Sequence, residues 1–152
     1  MSILDSIISI EEMASRSIQL SKLSSYTAGI IQHCAKLYIV EEQSNWLRTI
    51  KREMYSIEKN KSSKFRLTSN QYYEYVYVKA LRSREDSKNG IIATSLRYKD
   101  NVPTKSQYKD FKTRVEVLFE WFTLNLFDDG WKVYSNAEQI DNKLIKLFMD
   151  KV

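Results

Sequence analysis

The stretch "KSSKFRLTSNQYYEYVYVKALRSR", residues 61–84, sets Tyr72, Tyr73, Tyr75 and Tyr77 between two groups of basic side chains. Cations capture phosphates, and tyrosine rings offer faces on which unpaired bases stack, so this composition suits a polyanion and above all a single-stranded nucleic acid. The bland alternative is a core element with solvated basic ends. Charge segregation favours the first reading. Residues 48–114 hold seventeen Lys and Arg against seven Asp and Glu, a net of +10, whereas residues 1–47 carry −2 and residues 115–152 carry −3. A basic middle between acidic ends points to a basic face, and such faces commonly meet phosphates. The candidate contacts are Lys51, Arg52, Lys59, Lys61, Lys64, Arg66, Arg82 and Arg84, with Tyr72 and Tyr75 as stacking rings.

Covalent chemistry finds little footing. The only histidine, His33, adjoins the only cysteine, Cys34. Neighbours on a helix diverge by about 100°, so the two do not share a metal or form a nucleophile–base pair. No further His or Cys completes a zinc set, and neither a Gly-rich phosphate loop nor a nucleophile elbow occurs. The acid pairs Glu11–Glu12, Glu41–Glu42, Glu85–Asp86 and Asp128–Asp129 fit solvated helix faces and ends. A carboxylate-only nuclease is the remaining catalytic possibility, and nothing in the sequence strengthens it. The expectation is a non-enzyme without metal or cofactor.

The elements that must position these side chains are helical. Three glycines and one proline in 152 residues are too few for the turns of an all-β fold. The length suits a single domain spanning 1–152. One cysteine excludes an internal disulfide and suits a reducing compartment. No apolar run reaches membrane-spanning length, and the N-terminus lacks a signal-peptide plan, so the expected location is the cytoplasm.

Residues 2–17 read as one or two short helices, with Ser9 and Glu12 as a capping box. An apolar stripe then runs through Leu20, Leu23, Ile30, Cys34, Leu37, Val40, Leu47, Ile50, Met54 and Ile57 at helical steps, predicting one long helix. Thr68 with Gln71 caps a helix over 69–85, on which Tyr73 and Tyr77 face the core and Tyr72 and Tyr75 face outward. A hairpin over 72–98, turning at Asn89–Gly90, is the rival. Residues 87–103 read as a flexible connection. Thr104 and Gln107 cap the next helix, which is apolar nearly all round from 115 to 127 and so belongs at the centre of a core or an assembly. Gly130 suits a left-handed stop, and Ser135 with Glu138 caps a final helix. The predicted fold class is therefore all-α: a long helix plus shorter helices packing into a helical oligomer. Leu47, Ile50, Met54, Ile57, Trp121 and Phe122 are the candidate subunit contacts, because this apolar surface exceeds what a small helical monomer hides.

The ordered residues Trp46–Leu47, Ile50–Lys51, Glu53–Met54, Ile57–Glu58, Lys64, Arg66–Leu67 and Tyr72–Tyr73 resemble the middle of the UvsY-type recombination mediators of tailed phages. The plan of "VEVLFEWFTLNLFDDGWKVYSNAEQI", an apolar helix, a break and a second helix, resembles their C-terminal part. Ser62–Ser63 and Gly130–Trp131 depart from the family pattern. The resemblance implies a non-catalytic, ring-forming homo-oligomer that binds single-stranded DNA in the host cytoplasm. It would help a recombinase displace single-strand-binding protein, with Lys64 and Arg66 in the DNA-binding region. The alternative is a small helical interaction factor, such as a phage-encoded inhibitor or assembly adaptor, whose basic face meets an acidic protein.

Lys64 and Arg66 share a face only if the chain between Lys61 and Thr68 is extended rather than helical. Replacing both by Ala is expected to weaken single-strand binding and to reduce the salt slope by about 0.7 for each phosphate that is no longer neutralised. Lys143→Ala with Lys146→Ala is the matched control, and the two double variants compared by salt titration decide whether the site or only the net charge matters.

Overall fold

The computed structural model describes residues 3–41, 44–61, 68–78, 81, 90–128 and 130–150. It is all-α, and no strand occurs among these residues. Helix α1 (Ile3–Val40) is followed by α2 (Ser44–Lys61) and α3 (Ser69–Tyr72), which passes directly into a π-helical turn, Tyr73–Tyr77. Then come α4 (Ile91–Leu96), a 3-10 turn (Tyr98–Asp100), α5 (Lys105–Leu126) and α6 (Ala137–Phe148).

The apolar stripe that predicts one helix over 20–57 instead lines the inside of a helical hairpin. The chain leaves α1 at Glu41, whose φ of 56° lies in the left-handed region, and α2 folds back along α1. A single straight helix would expose its stripe. Folding back sets Ile50, Met54 and Ile57 against Leu23, Ile30, Ile31, Cys34 and Leu37, and all eight become fully buried. At Gly29 the carboxylate of Glu53 comes within 3.3 Å of where a Cβ would stand, so the missing side chain admits close approach of the two helices.

Helix α1 is the hub. It touches α2, the π-helical turn, α4, α5 and α6, while Ile18, Ser21, Lys22, Ser25 and Gln32 on its far face stay exposed. Helix α5 does not hold the enclosed central place expected of it. Helix α5 keeps Val117 and Leu124 exposed, the latter at 68%. The N-terminal segment is not a pair of short helices: α1 is continuous from Ile3, and Ser9 lies inside it. Within a helix, backbone carbonyls take the N–H groups that a capping box would satisfy.

Helix capping follows the sequence at two of the three later boxes. Thr68 Oγ1 accepts from the Gln71 N–H at 3.2 Å and Thr104 Oγ1 from the Gln107 N–H at 3.1 Å, each glutamine answering to the cap's own N–H. The third is displaced. Val133 is buried and its N–H donates to Glu58 Oε2 at 2.8 Å, which starts a turn ahead of α6. Asn136, not Ser135, becomes the N-cap, without a side-chain cap bond. Gly130 does not take a positive φ.

The hairpin alternative over 72–98 is excluded, because Tyr73–Tyr77 and Ile91–Leu96 are both helical. Residues 91–96, inside the expected connection, form a helix with Ile91, Ile92 and Leu96 in the core. Among the described residues no helix is long and apolar enough to cross a membrane.

One polar knot ties the last two helices to the first. Tyr38 Oη donates to Asp110 Oδ2 at 2.7 Å, and Arg114 Nε donates to the same oxygen at 2.9 Å. Burial first, and then the Asp110 bond, push the Tyr38 hydroxyl up to about 12. The other arm of Arg114 donates to the Leu147 carbonyl at 2.7 Å, where α6 ends and its carbonyls lack helical partners. Arg114→Met is expected to lower the unfolding free energy by about 2 kcal/mol. Arg114→Lys should recover less than half of that, because an ammonium cannot span both acceptors. Urea denaturation of the three proteins checks this.

Candidate nucleic-acid interface

Helix α2 sorts its charges by direction. The buried Ile50, Met54 and Ile57 define its inner face, so Asn45, Arg48, Arg52, Tyr55 and Lys59, spaced by three and four, form the outer one. All five are exposed, Tyr55 at 45%. The two acids of this helix are turned elsewhere. Glu58 accepts the Val133 N–H, and Glu53 lies against α1 beside Gly29. The outer face is left with three cations, one ring and no acid. Arg48, Arg52 and Lys59 have no ion-pair partner among the described residues. From Arg48 to Lys59 the stripe runs about 16 Å along the helix.

A second basic–aromatic group stands at the N-terminal end of the same helix. Trp46 meets Tyr98 edge-on at 5.7 Å, while Lys36 Nζ and Lys99 Nζ lie 5.2 and 5.8 Å from the Tyr98 ring centre. Lys99 and Asp100 both adopt left-handed backbone, with φ of 54° and 61°. Asn101 braces this turn by donating from Nδ2 to the Leu96 carbonyl at 2.8 Å. For Lys99 such backbone costs about 1–2 kcal/mol.

The residues singled out from sequence separate into four groups, the last being the buried Tyr72. Arg52, Lys59 and Tyr75 are exposed. Lys51 is engaged with Asp141 of α6, its Nζ 3.0 Å from Oδ1 and 3.1 Å from Oδ2, and serves the α2–α6 contact. Lys64, Arg66, Arg82 and Arg84 lie outside the described residues, and so does the side chain of Lys61.

Tyr72 is a correction: it is fully buried and offers no stacking face. Its hydroxyl donates to Thr27 Oγ1 at 3.0 Å, Thr27 itself donating to the Leu23 carbonyl, and its ring packs on Phe122 and Phe127. Burial pushes that hydroxyl well above its ordinary value. The cause is the π-helical turn. Its bonds reach five residues back, as from the Val78 N–H to the Tyr73 carbonyl, so Tyr72 and Tyr77 share the core face. Tyr73 is displaced to the surface, 37% exposed, beside Glu116 and Glu120. Tyr75 is 55% exposed on the same turn, next to the exposed Glu74.

Four of the expected subunit contacts are corrections too. Ile50, Met54, Ile57 and Phe122 are fully buried in the chain's own core, and Leu47 and Trp121 are partly buried against it. A folded chain has no free surface at the first four, because they face the inside of the hairpin and the α5 packing. Cys34 is fully buried, which raises its thiol, and His33 Nδ1 donates to the Gly29 carbonyl at 2.7 Å. Both are accounted for as parts of the α1 packing.

The sequence reading missed Arg48 and Tyr55, and with them Lys36, Trp46, Tyr98 and Lys99. A signal for the first two existed: they are the residues between the apolar steps 47, 50, 54 and 57. The Tyr98 group had none, since α1, α2 and the 3-10 turn meet only in three dimensions. Comparison with protein-family models, with curated proteins and with solved structures returns no match.

Half-burial against α1 raises the Glu53 carboxyl, a shift that His33 and Arg52 only partly oppose. A carboxyl raised in the folded state stabilises below its unfolded value, and that contribution is lost as pH rises through the folded one. Glu53→Gln should therefore raise the thermal midpoint at pH 7, and the gain should vanish toward pH 4. Calorimetry at the two pH values checks the sign.

Proposed function

We propose that this protein is a non-catalytic single-stranded DNA-binding protein that receives the strand on the outer face of α2. The observation that carries the reading is the division of charge on that helix, with both acids turned inward and Arg48, Arg52 and Lys59 outward around Tyr55. Cations spaced along a helix follow a phosphate backbone, and an exposed ring among them accepts a base face without reading its edge. The wider role, a recombination mediator that loads a recombinase onto DNA covered by single-strand-binding protein, is what the resemblance of residues 45–73 implies, and we adopt it as the working assignment.

Two features of the fold support the α2 face over the tyrosine-rich turn. Tyr72 is withdrawn into the core, and Tyr73 stands beside two carboxylates that repel phosphate. The strand-binding ring is accordingly Tyr55.

The test is fluorescence anisotropy with a labelled single-stranded oligonucleotide over a range of salt. Arg48→Ala with Arg52→Ala and Lys59→Ala should reduce the magnitude of the salt slope by about 2, at roughly 0.7 per phosphate. Tyr55→Ala should weaken binding by about 1–3 kcal/mol and leave the slope alone. Lys132→Ala with Lys146→Ala, on the acidic C-terminal part, should do neither. Single strands should be preferred over duplex, since no groove-reading element is present among the described residues. Equal losses from both sets of lysines and arginines would reduce the effect to net charge. An intact slope in the triple variant would hand the basic face to an acidic protein partner.

A further inference from the structure

The outer face of α5 carries the opposite character to that of α2. Thr113, Glu116, Val117, Glu120 and Leu124 fall within one arc of the helix, and all are exposed. Val117 and Leu124 expose 39% and 68% of their surface, large values for aliphatic side chains on a protein that buries its core well. Asp128 is exposed just past the end of the helix. Glu116 and Glu120 also act on Tyr73 of the π-helical turn, raising its hydroxyl behind the larger effect of burial, so all three share one surface. Neither glutamate has an ion-pair partner among the described residues. Acids flanking exposed aliphatic residues select an occupant with cations flanking an apolar group.

Such an occupant exists on the same molecule. Arg48 and Arg52 are four residues apart, as are Glu116 and Glu120. With the two helices side by side and parallel, Arg48 meets Glu116 and Arg52 meets Glu120. Tyr55 then covers Leu124, and Lys59 reaches Asp128 and the negative end of α5. The pairing cannot form within one chain, where α2 packs on α1 and α6 and its stripe faces solvent. We propose that the α5 outer face docks the α2 outer face of a second copy, so that a copy and a polyanion compete for the same stripe. The docking rests on these two faces alone. Only the competition rests on the proposed DNA binding. Because the two faces differ, the contact is heterologous: each copy offers one free α2 and one free α5, and assembly proceeds beyond the dimer or closes into a ring. Two single helix faces make a small interface, so the association is weak and strongly salt-dependent.

The test is analytical ultracentrifugation of the full chain at about 20 mM and about 500 mM salt. The expected result is a weight-average mass that rises with concentration at low salt and stays at the monomer value at high salt. A concentration-independent monomer at low salt overturns the proposal whatever the DNA result, and so does an oligomer indifferent to salt. Charge exchange then locates the contact. Glu116→Arg with Glu120→Arg, and separately Arg48→Glu with Arg52→Glu, should each lower self-association by roughly tenfold or more. Mixing the two variants should restore it, because each supplies the sign that the other lacks. These side chains are exposed, and circular dichroism verifies the fold. Leu124→Ser, which changes no charge, should also weaken association. If the mixture stays dissociated, the contact lies elsewhere and the proposal fails.

Adding single-stranded oligonucleotide to the parent at low salt should lower the mass of the protein assembly as α2 is occupied. The α5 variant should bind the oligonucleotide at least as tightly as the parent. An oligonucleotide that binds and leaves self-association unchanged overturns the competition. An oligonucleotide that fails to bind refutes the function proposed above, while the docking is judged by the charge exchange.

Discussion

Everything in this fold depends on covering the apolar face of α1. On this helix of 38 residues, Leu23, Ile30, Ile31, Leu37 and Tyr38 form one broad apolar face, too wide for a single partner helix to cover. The chain solves this locally first. It turns back at Glu41 and lays α2 along α1, so that the two halves of one apolar stripe cover each other. The π-helical turn, α4, α5 and α6 then cover the rest of that face. Local strain is accepted at Glu41 because the hairpin buries three large side chains of α2 completely, each worth roughly 1.5–3 kcal/mol when taken from water.

That packing is also what produces the charged surfaces. Once Ile50, Met54 and Ile57 face α1, the register of α2 is set, and the directions of Arg48, Arg52, Tyr55 and Lys59 follow from it. The acids of the helix fall beside the seam, where each has a structural partner: Glu58 holds the turn before α6, and Glu53 occupies the space opened by Gly29. A helix with two acids among its cations thus acquires a wholly basic outer face. Helix α5 acquires the reverse, because Phe111, Val115, Leu118, Phe119 and Phe122 satisfy the core and leave Glu116, Glu120, Val117 and Leu124 to solvent.

The tyrosine cluster shows how a small change in helix winding reassigns residues. At ordinary helical spacing Tyr73 and Tyr77 share a face. The π-helical turn moves the repeat to five, and Tyr72 and Tyr77 go inside with Phe119, Phe122 and Phe127. Tyr77 stacks on Phe119 with ring centres 4.6 Å apart, an arrangement that a regular turn would break. The aromatic richness that attracts notice in the sequence is therefore mostly core, and the exposed ring among cations stands one helix earlier.

By itself, the sequence determined the helical class, the starts of α3 and α5 and the concentration of positive charge in the middle of the chain. Each of these is a local property. Scarce Gly and Pro leave few turns, a capping box involves four consecutive residues, and charge density is a matter of composition. The apolar stripe of α2 was legible as well, and the outer residues of that helix were implied by it. Only the tertiary structure decided that the stripe folds on itself rather than on another subunit, since a periodic pattern records which face is buried and not what buries it. The same holds for Tyr72, whose withdrawal depends on packing against Phe122 and Phe127, and for the meeting of Lys36, Trp46, Tyr98 and Lys99. Those contacts join residues far apart in the chain, and their partners are set by the three-dimensional packing against α1, to which no local pattern has access.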